Sequence, residues 1–211
     1  MANVPGEGSE RDSLPPVHVS AIRGSLSEQN ATKMALNVAL RGASELRADT
    51  RLIELRDYEL VFIGKVKEDE YPPDVFRLRE EIKESHGIIL GTPEYYGSLS
   101  GALKSMFDLM RPEEFEGKIV GLIGVSGGHT GAINSLNAMR TIGRNLHCWV
   151  LPQEVSVADS KQAFNEDGTV TDPSVEERLL DLGRKVVTLA TVQRRIKQHD
   201  FMKLWEGLIT W

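Results

Sequence analysis

Apolar residues along this chain fall into two alternating rhythms. Short runs at Val17 to Ile22, Arg51 to Leu55, Gly87 to Leu90, Lys118 to Val125 and His147 to Leu151 predict five strands. Between them lie stripes at helical spacing: Ala31, Met34, Ala35, Val38 and Ala39; Val75, Leu78 and Ile82 after Pro72-Pro73; Leu103, Met106, Phe107 and Met110; and Ile133, Leu136, Met139 and Ile142. Ile88, Ile89 and Leu90 in sequence predict a strand covered on both faces, and the strict alternation predicts a parallel sheet layered between helices. Beyond the fifth strand, Asn165-Glu166-Asp167-Gly168 predicts the tip of an excursion. Asp172-Pro173-Ser174-Val175-Glu176-Glu177 carries a cap, an early proline and acids, so a last helix starts there and runs to about Ile196.

The 211 residues suit one α/β domain, drawn as residues 17–196 between a disordered lead, 1–16, and a C-terminal helical extension, 197–211. That extension repeats an apolar stripe at Phe201, Leu204, Trp205 and Leu208, so it packs down or meets a partner. The net charge of −6 without basic runs argues against nucleic acid and anionic lipid as partners. No segment is apolar enough over a sufficient length to span a bilayer, and the lone Cys148 forms no disulfide framework, which together predict a cytoplasmic protein. Cys148 reads as a small buried hydrophobe. His18, His86, His147 and His199 are too scattered for a metal site, so none is expected.

Chemistry concentrates in three loops that each leave a strand for a helix, the position where open α/β sheets bind ligands. The first, Arg23 to Thr32, offers the hydroxyls and amides of Ser25, Ser27, Asn30, Ala31 and Thr32 at a helix start, which suits a phosphate; the same residues also suit plain helix capping. In the second, Pro93, Glu94, Tyr95, Tyr96, Gly97 and Ser98 form a tight turn whose glycines allow close backbone approach to a planar ligand, with the next helix starting near Ser98 or Ser100. Glu94 reads as an orienting carboxylate. The third loop, with Ser126, Gly127, Gly128, His129 and Gly131, repeats the glycine-rich pattern, and His129 reads either as a solvated side chain or as an acid.

Thr92-Pro93-Glu94-Tyr95, Gly97-Ser98 and Gly101-x-Leu103-Lys104, with Asp57-Tyr58, Tyr71-Pro72-Pro73 and the third loop, resemble the signature of the NADPH-dependent FMN reductase family over about Val17 to Leu151. The resemblance implies a flavodoxin-like fold with strand order 2-1-3-4-5 and FMN held by the three loops, with the phosphate at the first. It also implies a dimer whose partner helps wall the flavin site, and with the spare apolar stripe at Phe201, Leu204, Trp205 and Leu208 the expected assembly is a homodimer or homotetramer. Ser27 stands where the family commonly carries an Arg, and Asn30 where it commonly carries a Ser; Arg23 is the nearest cation that could stand in. Losing that Arg predicts only modest preference between NADPH and NADH.

The function expected is therefore transfer of hydride from NADPH or NADH through FMN N5 to a small-molecule acceptor such as a quinone, azo compound, flavin or metal oxyanion. The kinetics would be ping-pong, with no catalytic side chain required. Two alternatives share the fold: a flavodoxin-like electron carrier, and a cofactor-free partner-binding module.

Overall fold

The computed structural model describes residues 15–28 and 31–198. The elements are β1 (His18–Arg23), α1 (Ala31–Glu45), β2 (Asp49–Glu54), α2 (Pro73–Lys83), β3 (Gly87–Pro93), α3 (Gly101–Leu109), α4 (Pro112–Phe115), β4 (Ile119–Val125), α5 (Ile133–Asn145), β5 (Trp149–Val157) and α6 (Pro173–Gln198). All four strand pairings are parallel, in the order β2-β1-β3-β4-β5. The winding direction switches between β1 and β3, which sets the loops leaving β1, β3 and β4 side by side at one edge.

Alternation of side chains builds the two halves of the core. On one face Ile89, Ala21 and Ile123 pack with Ala35 and Leu36 of α1 and Leu182 and Val186 of α6. On the other, Ile88, Leu90 and Leu122 meet Leu78, Leu103, Met106 and Met139. A strand buried on both sides leaves no polar phase, which is why β3 and β4 appear in sequence as unbroken apolar runs.

The structure corrects several expected boundaries. β5 runs to Val157, not Leu151, with a register shift between Val120 and Leu122. As an edge strand it tolerates Pro152, and its outer side chains Gln153 and Glu154 are polar. β3 extends through Pro93, which still pairs with Val125 in register. Ile133 points outward, 50% exposed, so the buried stripe of α5 is Leu136, Met139 and Gly143. The tip at Asn165 to Gly168 closes where expected, below an antiparallel bridge between Phe164 and Val170. Among the described residues no helix is long and apolar enough to cross a membrane. Residues 1–14, Asn30 and the stripe Phe201, Leu204, Trp205 and Leu208 lie outside the described residues.

Candidate functional site

The first loop is stitched to its neighbours by main-chain and hydroxyl bonds. Gly24 N donates to Gly91 O at 2.8 Å, and Gly24 O accepts from Ser100 Oγ at 2.5 Å. A Cβ at Gly24 would stand 2.9 Å from Leu103 Cβ and 3.1 Å from Gly91 O, so only glycine allows this crossing. Ser25 and Thr32 are buried, whereas Ser27 is exposed, and α1 has no acidic residue in its first turn. A helix start with that charge pattern favours an anion.

Arg23 does not face this anion site. Its side chain is fully buried, donating to Glu54 Oε1 and to the carbonyls of Ser27 and Glu28. Lys33 Nζ donates to the other Glu54 oxygen at 2.9 Å. Burial opposes ionisation of Glu54, but the bonds from Lys33 and Arg23 outweigh it and hold the carboxyl below its ordinary value of 4.5. Arg23 therefore cannot replace the missing Arg as a direct phosphate ligand.

In the second loop, Tyr95 and Ser98 exchange two main-chain bonds of 2.9 and 3.1 Å around Tyr96 and Gly97, whose φ values are 51° and 76°. Positive φ at both central residues is the requirement of a type I′ hairpin turn, and it throws the Tyr96 ring fully into solvent. Glu94 N donates to Val125 O at 2.8 Å, so the sheet and hairpin take up the amides of Glu94, Tyr95 and Ser98 and leave the turn amides of Tyr96 and Gly97 outside the pairing. Glu94 Oε2 accepts from Ser135 N at 2.9 Å and so caps the start of α5. Ser100, expected at the helix start, caps α3 by accepting from Leu103 N at 3.2 Å.

The third loop is tied to the end of β5 and to the residues that follow it. Ser126 N donates to Val157 O, Ser160 N to Ser126 O and Ala132 N to Ser156 Oγ, at 2.9, 3.0 and 2.9 Å. His129 is exposed, with Nδ1 2.7 Å from Asp159 Oδ2. Ser156, Asp159 and Ser160 come from a segment that sequence reasoning passed over, because it lay beyond the expected end of β5.

A cofactor cradle is testable at the glycines. Cβ atoms built at Gly101 and Gly127 meet nothing within 4 Å; at Gly97 the nearest atom is Asn134 Nδ2 at 3.7 Å, and at Gly128 it is Ser126 Oγ at 3.8 Å. All of these lie in or next to the second and third loops and present bare backbone to open space, as a flat heterocycle needs, while the first loop offers an anion site. The donor set fits FMN. Beside the first loop opens an apolar cavity of about 400 Å³, lined by Leu26, Leu55, Tyr58, Leu60, Phe62 and Ala102 among others. Of its lining residues, Leu60 and Phe62 carried no signal in the sequence, since the stretch between Tyr58 and α2 has no regular period. Cys148 lies elsewhere, its thiol pushed up to about 12 by burial, which suits a packing role. Among the described residues no cluster of His, Cys, Asp and Glu could hold a metal.

Comparison with known proteins gives concordant results. The model of the NADPH-dependent FMN reductase family matches residues 17–162. An NAD(P)H-dependent FAD/FMN reductase of Geobacillus thermodenitrificans is 30% identical over 139 residues, 66% of this chain and 74% of that protein. An FMN-dependent NADPH-azoreductase of Staphylococcus aureus is 40% identical over 101 residues, 48% of this chain and 53% of that protein. Among solved structures, the flavoenzyme NAD(P)H:(acceptor) oxidoreductase of Paracoccus denitrificans superposes with a TM-score of 0.69 at 23% identity, covering 84% of this chain and 98% of that one.

Proposed function

The chain belongs to the NADPH-dependent FMN reductase family, and from that premise we propose that it carries two electrons from NADPH or NADH to a small-molecule acceptor. It is an oxidoreductase, with FMN as cofactor and a reduced nicotinamide as donor. The acceptor class we propose is a quinone, azo compound, free flavin or metal oxyanion. The observation that carries this reading is the bare backbone of Gly97, Gly101, Gly127 and Gly128, facing open space at the carboxyl edge of the sheet.

Ser25, Ser27, Asn30, Ala31 and Thr32 would hold the phosphate at the start of α1. Pro93 to Ser98 would border the ring on one side, and Ser126, Gly127, Gly128, His129 and Gly131 on the other. Bound there, FMN would supply the two-electron redox chemistry that links nicotinamide to acceptor. The chain's own residues position and shield. Glu94 fixes the second loop against α5, Asp159 holds the His129 ring, and donor and acceptor would share one open face in turn, giving ping-pong kinetics. We further propose a homodimer or homotetramer, supported by exposed apolar side chains beside the first loop, and a cytoplasmic setting, supported by a single cysteine that can form no disulfide within the chain.

Anaerobic stopped-flow spectroscopy of the FMN-loaded protein tests the reading. NADPH and NADH should each bleach the flavin absorption rapidly, with kcat/KM values within about tenfold of each other, and a quinone or azo dye should restore the colour. A flavin that neither nicotinamide reduces would favour an electron carrier. Failure to bind FMN at all would leave only a partner-binding module.

A further inference from the structure

A buried cation lies beneath the first loop. Arg23 ends β1 with 0% of its surface exposed, a position that is strongly unfavourable for a guanidinium; Nε meets no acceptor among the described residues, so the two terminal nitrogens carry its bonding. One terminal nitrogen meets Glu54 at the end of β2. The other reaches past this counter-charge to the carbonyl of Ser27 and, at 3.2 Å, to that of Glu28. A side chain needing only neutralisation would stop at Glu54. Lys33 also reaches Glu54, so the one carboxylate is shared by two cations and is not the private partner of Arg23.

The consequence for the loop follows from peptide geometry. A trans peptide points its N–H opposite to its C=O, so drawing the Ser27 carbonyl down onto Arg23 turns the Glu28 amide away from the guanidinium. We infer that Arg23 is the positioning residue of the first loop, holding the Ser27 and Glu28 carbonyls so that the Glu28 amide hydrogen faces a phosphate monoester; this rests on the phosphate placement proposed above. It also accounts for Ser27. An Arg there would touch a phosphate directly from the solvent side, whereas Arg23 acts from below through the backbone, out of the ligand's reach.

Titration of apo-protein with FMN and with riboflavin, which has the same ring system and no phosphate, separates phosphate recognition from general folding. Wild type should bind FMN at least about a hundredfold more tightly than riboflavin. Arg23→Gln and Arg23→Lys should each weaken FMN about tenfold or more and leave riboflavin within about twofold, since one ammonium cannot span the acceptors of a planar fork. Equal losses for both flavins, or undiminished FMN affinity in both variants, overturn the inference while leaving the phosphate placement intact. A wild type that does not distinguish the two flavins removes that placement and the inference with it. If Arg23→Gln does not fold, Arg23→Lys decides alone; if neither folds, Arg23 is a structural residue and the inference is overturned.

Discussion

At the scale of single residues, Glu54 is where pH should first be felt around the first loop. Its folded carboxyl titrates below 4.5 while the unfolded one titrates near it, so the unfolded chain takes up the proton more readily. The stabilisation is therefore complete above the unfolded value and is lost as pH falls through the folded one. Protonation leaves Arg23 buried beside a neutral acid, as Glu54→Gln does at any pH. Glu54→Gln should thus be clearly less stable than wild type near pH 7, with the gap narrowing only once pH falls below the ordinary carboxyl value of 4.5, read from melting temperatures on both sides of it. A gap that is constant with pH would mean that the ion pair contributes nothing to folding. Neither this pair nor His129 with Asp159 was legible in the sequence. Their partners stand 31 and 30 residues apart, and nothing local in the chain marks one for the other.

At the scale of elements, the hairpin of the second loop places a bulky ring where small residues are favoured. Tyr96 has a φ of 51°, a left-handed conformation that costs a non-glycine residue about 1 kcal/mol, whereas Asn tolerates it and Asn-Gly is the favoured type I′ pair. Tyr96→Asn should raise stability by roughly 0.5–1 kcal/mol, about 1–4 °C in Tm for a chain of this size. If the exposed ring serves the open face of the site, the same variant should raise KM for the nicotinamide; an unchanged KM would leave the ring without that role. The turn itself was readable from Gly97 and Pro93, and β3 and β4 from their unbroken apolar runs, because double burial removes any polar interruption. β5 past Leu151 was not readable. An edge strand alternates outward polar and inward apolar residues, and Pro152 followed by Gln153-Glu154 looks like a strand end when the partner β4 is not yet in view. Ile133 misled for the opposite reason: an apolar residue at helical spacing in the first turn of α5 still faces solvent.

At the scale of the whole molecule, the apolar cavity beside the first loop bears on assembly. Leu26 and Phe62 line it at 55% and 71% exposure, and the adjacent Ile63 is 61% exposed. Scattered exposed apolar residues are ordinary, but three together around a cavity at the proposed cofactor site are more than a monomer normally leaves open. Leu26 directly follows Ser25, so covering this patch with a second copy would also restrain the first loop, and cofactor retention would be linked to assembly. The net charge of −6 per chain opposes association, so moderate salt should strengthen a dimer held by apolar contact. Light scattering at micromolar concentration should report a dimer or larger, and Phe62→Asp should shift it towards monomer by setting a carboxylate into the covered patch. FMN affinity should fall with it, and wild-type FMN should dissociate more readily on dilution below the dimer's own dissociation constant. A wild-type monomer with full turnover would sink the assembly. A dimer unmoved by Phe62→Asp would place the interface on another face.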